Sequence, residues 1–335
     1  MRFILPGMAA KVSVGPASFS ALHEAAKGVP VTIYHFLTEF AGLPVVAWDD
    51  DDLPAEPTAV AWRIEMEFEA DEADLRTAFE RVLERTGPAG PTALIFGDWG
   101  DAYDDAFPFE LLIDNAARLT GLRSLFLGEM SSEQCEISWI NQGDFTPLLT
   151  AFPALERLWI RGSQNLQVGP VRHEGLRELV IQTGGLPAGV LEGIVGSDLP
   201  HLTRLELWLG VANYGGDITA DDLAPILSGR SFPALTHLGL CNSEIAEELA
   251  AAVAAAPVVA RLDSLALSLG VLGDVGAESL LAGQPLTHLT SLDLSHHFMT
   301  KEMAQRVVDE LPGVAVDVSD PQDESRYGRY TVVAE

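Results

Sequence analysis

The pattern LxxLxL, with Ile allowed at the last place, recurs seven times: LRSLFL from Leu122, LERLWI from Leu155, LRELVI from Leu176, LTRLEL from Leu202, LTHLGL from Leu235, LDSLAL from Leu262 and LTSLDL from Leu289. The second leucines of successive copies (Leu125, Leu158, Leu179, Leu205, Leu238, Leu265, Leu292) lie 33, 21, 26, 33, 27 and 27 residues apart. Within each copy, alternation sends the leucines to one side of a short strand and their neighbours to the other. A strand repeated in the same sense needs a crossover to return to its start, and a helix supplies one. No single strand–crossover unit can cover its own apolar side, so the units must stack in series. Degenerate copies flank the seven: AVAWRI ending at Ile64, TALIFG around Leu94 and GVAVDV ending at Val318.

The intervals carry helical segments at 109–118, 220–227, 244–256, 276–281 and 301–311, and DLRTAFERVLERT forms another opened by Asp71 with Asp74. Thr219 with Asp222, and Thr300 before KEMAQRVV, read as N-caps. The 21-residue interval between Leu158 and Leu179 is too short for a full helix, so a loop or one 3₁₀ turn is expected there.

At 335 residues and 47% hydrophobic content the chain has ample material for one elongated core. Its net charge of −29 leaves no cationic surplus to neutralise phosphates, which argues against nucleic acid and anionic lipid surfaces and favours a basic partner or cation. The basic residues are 17 Arg and 3 Lys, a bias that with the abundant Ala, Gly and Pro suggests a GC-rich bacterial genome. Cys135 and Cys241 form no CxxC pair, so neither a disulfide framework nor a zinc site is expected, and a reducing cytoplasm is the simple reading. No apolar run reaches membrane-spanning length.

At these repeats the chain resembles the leucine-rich-repeat superfamily, nearer the ribonuclease-inhibitor type with real helices. The segments HFLTEFAGLPV (35–45), CEISWINQGDFTPLL (135–149), IQTGGLP (181–187), ELWLGVANYGGD (206–217) and APVVARLDSLALSLG (256–270) more narrowly resemble an uncharacterised bacterial family of cytoplasmic leucine-rich-repeat proteins. Members of that family are often encoded beside radical-SAM-like and ATP-grasp-like proteins, which implies a role in a small biosynthetic or modification cluster. The expected fold is α/β: a leucine-rich-repeat solenoid, or horseshoe, of about nine or ten parallel strands on the concave face with helices and loops on the convex one. Residues 1–30, with a net charge of +2, are read as a disordered extension or a mis-assigned start with Val31 as an alternative initiator. Residues 31–54 form an N-terminal cap and acidic loop, 55–320 the repeat domain and 321–335 a tail.

Non-catalytic recognition of a protein or peptide is the expected function, and two surfaces are its candidates. On the concave face, outward positions gather Arg157, Trp159, Arg161, Glu178, Gln182, Arg204, Glu206 and Trp208. Trp and Arg are enriched where binding energy concentrates. The same residues equally suit cross-strand Arg–Glu pairs that carry the Trp rings as packing, and both readings stay open at this point. The second surface is the rim at the strand C-termini, where the loops around GDWGDAYDD, EISWINQGDF and NYGGD supply Trp99, Asp101, Tyr103, Glu136, Trp139, Asp144 and Tyr214.

Catalytic signals are weak. Asp98, Asp101, Asp104 and Asp105 lack the spacing of a calcium loop, and His296–His297 with Asp293 places adjacent histidines on opposite faces of an extended segment. His237 and His288 fill equivalent places in the repeat LTHL. Cys241 has no basic cluster to activate it, and the acids near Cys135 would raise its thiol pKa. G-x-S-x-G, P-loop and H-E-x-x-H patterns are absent from the sequence, and no metal or cofactor is expected. The alternative is an accessory or catalytic component whose acidic rim loops handle a substrate.

Overall fold

A computed structural model describes residues 34–50, 54–67 and 70–334. The expected extension over 1–30 and the middle of the acidic loop (51–53) lie outside the described residues. Among those described, the strands are β1 (Glu39–Phe40), β2 (Leu43–Ala47), β3 (Ala61–Ile64), β4 (Ala93–Phe96), β5 (Ser124–Leu127), β6 (Arg157–Arg161), β7 (Glu178–Gln182), β8 (Arg204–Gly210), β9 (His237–Ser243), β10 (Ser264–Ala266), β11 (Ser291–Asp293) and β12 (Ala315–Asp317). They form one sheet in chain order. Only β1 is antiparallel to its neighbour, and every pairing from β2 to β12 is parallel.

The leucine period sets the register. Trp62, Leu94, Leu125, Leu158, Leu179, Leu205, Leu238, Leu265 and Leu292 stand side by side across β3–β11. All are at most 2% exposed and belong to one continuous core that also takes in the helices. Each buried leucine contributes about 1.5–3 kcal/mol relative to exposure. A slip of one residue would turn the whole row outward, so the register is strongly specified.

Among the described residues the crossovers carry eight α-helices: α1 (Glu72–Thr86), α2 (Phe109–Ile113), α3 (Thr146–Ala151), α4 (Ala188–Val195), α5 (Ala224–Leu227), α6 (Ala246–Ala254), α7 (Asp274–Ala282) and α8 (Lys301–Glu310). The Asp71/Asp74 pair forms a capping box on α1, and the Thr300 hydroxyl accepts the Met303 amide at the start of α8. Asp222 accepts from both the amide and the hydroxyl of Thr219, yet that turn leads into α5 only at Ala224. Between β6 and β7 the chain crosses without a helix, as the short interval requires. Helices α3 and α4 are additions to the sequence reading.

The sheet is longer than nine or ten strands because its N-terminal flank extends it. LPVVA pairs in parallel with β3, and EF pairs back on it across Ala41–Gly42, a two-residue turn in which both residues have positive φ. At the other end, residues 321–334 fold back onto the sheet. Tyr330 stands edge-on to His296 and Phe298, with centroids 5.6 and 5.4 Å away.

Candidate functional site

On the sheet face turned away from the main core, the structure brings the eight expected residues together and ties them to one another. The Arg157 Nε donates to Glu178 Oε2 at 2.9 Å, and the Trp159 Nε1 donates to Glu178 Oε1 at 2.7 Å. Next door, Arg204 Nη2 and Trp208 Nε1 both donate to the Glu206 carboxylate, at 2.9 and 3.0 Å. The first is a cross-strand Arg–Glu pair, β6 to β7, with Trp attached; the second lies within β8, and Arg204 reaches across to Glu178 at 3.9 Å. Arg161 and Gln182 are wholly buried and bonded to each other, Nε to Oε1 at 2.9 Å. Burial holds the Arg161 guanidinium down to about 10, with Glu129 opposing.

Both ends of the described chain cover this face. On the N-terminal side, Leu37 and Phe40 complete a second apolar cluster with Ile95, Phe126, Trp159 and Val180. Phe40 meets Trp159 edge-on at 5.2 Å. On the C-terminal side, Val332 and Val333 close a third cluster over Trp208, which is 0% exposed. The two tryptophans are therefore packing centres in this state, because apolar rings exposed on an open sheet are better removed from water by the chain's own ends. The sequence pattern says which side chains leave the core but not what lies on top of them.

Beside the C-terminal cover, on β8–β11, lies a shallow depression lined by Arg204, Glu206, His237, Gly239, Ser264 and Asp293. Burial, then Arg204, pushes the His237 pKa down, favouring the neutral ring. Burial raises the Asp293 pKa, with the Ser295 amide opposing at 2.9 Å. A carboxyl whose folded pKa is raised contributes stability below its unfolded value and loses it as pH rises through the folded one. Asp293→Asn, which keeps an oxygen for Ser295 but cannot ionise, is expected to melt higher than the parent at pH 8 and level with it below about pH 3. Equal melting temperatures at pH 8 would sink this assignment.

The rim divides the other seven residues. Trp99 is 5% exposed, held by its Nε1 on Asp105 O at 2.9 Å and packed edge-on to Phe107, so it belongs to the core. Asp144 is exposed but committed locally, accepting the Thr146 amide at 2.9 Å. Asp101 accepts the Asp104 amide at 3.2 Å within its own turn, and Glu136 is half-buried just ahead of the 3₁₀ turn Ile137–Trp139.

Tyr103 and Trp139 stack at 5.5 Å with planes 23° apart while remaining 50% and 37% exposed. With Tyr214, Ser138, Gln164 and Pro187 they line a pocket of about 320 Å³. Two loops after neighbouring strands, β4 and β5, supply the pair. NYGGD contributes Tyr214, and its Asp217 accepts the first amide of α4 at 2.6 Å.

A second rim pocket, about 580 Å³, is lined by Asp49, Glu65, Glu67, Asp98 and Glu133 beside Arg63. Burial raises the pKa of Glu65 and of Asp98. Among the described residues no three His, Cys, Asp or Glu side chains converge as metal ligands. His296 and His297 are 5% and 1% exposed, and their ring nitrogens engage Asp320 and the Val318 carbonyl at 3.0 Å each. Cys135 is pushed up to about 12, chiefly by burial and then by Asp98 and Glu136. Cys241 is raised too, again chiefly by burial. Neither thiol suits nucleophilic work. No helix among the described residues is long and apolar enough to cross a membrane.

A crystal structure of a protein from Bacteroides fragilis, a target of the Northeast Structural Genomics Consortium, is similar to this chain at 30% sequence identity and a TM-score of 0.74, covering 81% of this chain and 77% of that one. No protein-family model matches, and no curated protein does.

Proposed function

The chain belongs to the same family as the Bacteroides fragilis protein, and on that premise we propose that it is a leucine-rich-repeat solenoid serving as a non-catalytic scaffold that binds a protein partner at its strand C-terminal rim. Strands in chain order, in-phase leucines and helical crossovers support the repeat architecture. Two isolated cysteines support a reducing cytoplasm.

The exposed Tyr103–Trp139 stack carries the binding reading. Large aromatic surface left in water at the mouth of a pocket gains most when a partner covers it. The contacts that hold Trp159 and Trp208 against the sheet favour this edge over the face as the binding surface. Asp101, Asp104, Asp105 and Glu136 lie in the loops that carry the pair, in a chain of net charge −29, so the fitting partner segment is basic and its association weakens with salt. Affinity purification from the native host identifies the partner. Tyr103→Ala with Trp139→Ala is expected to weaken its binding at least about 30-fold, the effect of losing one hot spot of 2 kcal/mol. The melting temperature should hold, because both rings are surface-exposed. Undiminished affinity in the double variant would discard the rim.

A second reading, an accessory or catalytic component of a small biosynthetic or modification cluster, draws on the acid-lined rim pocket with its raised Glu65 and Asp98. Tight Mg²⁺ or Ca²⁺ binding by calorimetry, lost in Asp98→Asn, would favour it over the scaffold.

A further inference from the structure

The last described residues run along the strand C-terminal edge, bent at Val332 and without joining a strand, and the fold reads their main chain residue by residue. The Val332 amide donates to Leu269 O at 3.0 Å. The Val333 amide donates to Asn242 Oδ1 at 3.0 Å, and its carbonyl accepts from Asn242 Nδ2 at 2.5 Å. The Ala334 carbonyl accepts from the Ser138 hydroxyl at 2.6 Å. Asn242 is wholly buried, adopts a positive φ of 51°, and anchors its amide further on Thr183 O at 3.2 Å. Beneath the two valines runs an apolar trough of Ile137, Trp208, Cys241, Ala266 and Leu269. Gly184 makes room at its end: a Cβ there would stand 2.0 Å from Ala334 O and 2.1 Å from Ser138 Oγ.

We propose that this trough is a peptide-binding groove that the chain occupies with its own C-terminal tail. Its ligand class is a partner segment that takes the same bent course with two adjacent valine-sized side chains, and it competes with that tail. A buried asparagine that pairs with both the N–H and the C=O of one residue recognises backbone, the part that any peptide presents. The two branched side chains in the trough add the selectivity.

The tail is joined to the rest by the exposed turn Ser325–Gly328, closed on itself by reciprocal backbone bonds, so it can leave as a unit without breaking a strand pairing. The trough adjoins the rim pocket, because Ser138 both holds Ala334 and lines the Tyr103–Trp139–Tyr214 pocket. A tethered tail stands at an effective concentration of about millimolar, so the parent chain masks the groove from weak external ligands. The trough and Asn242 carry this inference whether or not the rim receives a partner.

The test uses the full chain and a fluorescein-labelled peptide GRYTVVA, the sequence of residues 328–334, followed by fluorescence anisotropy. Val333→Asp places a charge in the apolar trough and unseats the tail. That variant is expected to bind the peptide at least tenfold tighter than the parent chain, and Asn242→Gly, which tolerates the positive φ, should remove the gain. A Val333→Asp chain with red-shifted Trp emission that binds no better than the parent overturns the proposal. Independently, a protease site placed in the Ser325–Gly328 turn allows the folded chain to be cut there. Exchange of the severed tail for labelled peptide supports the groove; a tail retained against excess peptide, or unfolding on cleavage, overturns it.

Discussion

Glu129→Ala is expected to destabilise the fold by about 3–5 kcal/mol, the cost of deleting one partner from a buried ion pair. Glu129 is 0% exposed, two residues past the end of β5. Its Oε2 accepts Arg63 Nε at 2.8 Å, and its Oε1 accepts the Leu37 amide at 2.6 Å. Arg63 in turn donates to the Leu37 carbonyl at 2.9 Å, so the two side chains clamp the segment that carries Phe40 over the sheet. Burial still pushes the Glu129 carboxyl above its ordinary range, even with Arg63 and the Leu37 amide favouring the charged form.

Alanine would leave the Arg63 guanidinium without its counter-charge and would take away the nearby negative charge that favours ionised Arg161. Glu129→Gln keeps an oxygen for the Leu37 amide and should lose less. Urea denaturation reads both, with an unchanged m-value reporting a pure stability loss. A midpoint for Glu129→Ala within 1 kcal/mol of the parent would mean that water reaches the pair and the cover does not depend on it.

The leucine period made the seven central strands and the composition of the core legible, because alternation and spacing are local properties of the chain. Caps were legible for the same reason: Asp71 with Asp74 and Thr300 act within three residues. What covers the outward face was not, because it depends on contacts across long stretches of sequence. Leu37 finds Glu129, and Asn242 finds Val333. Neither end carries the repeat, so neither announces its destination.

The rim was partly legible. Loops after successive parallel strands must emerge at one edge, which brings Tyr103 to Trp139. Trp99 looks no different from them in sequence, yet Phe107 draws it into the core. The paired glycines of IQTGGLP had a structural signal that spacing alone did not interpret. Gly184 admits the tail, and at Gly185 a Cβ would lie 2.3 Å from the Tyr214 carbonyl.

Trp208→Ala separates packing from binding on the sheet face most sharply. With the ring wholly buried among Ile137, Cys241, Ala266 and Val333, its truncation is expected to cost about 3–5 kcal/mol, lost transfer energy plus the cavity left behind. The loss also takes the indole N–H away from Glu206 and the floor away from the tail. Trp208→Phe, which keeps the apolar bulk and drops only that hydrogen bond, should cost nearer 1 kcal/mol. Any rim binding lost in Trp208→Ala then tracks the unfolded fraction and returns when the protein is stabilised at lower temperature.

Trp139→Ala should behave in the opposite way. Its stacked ring is exposed at the rim, so binding falls while the urea midpoint stays near that of the parent. If Trp208→Ala stays within 1 kcal/mol of the parent yet abolishes binding, the sheet face is the contact surface after all. The tail over it would then be a removable cover.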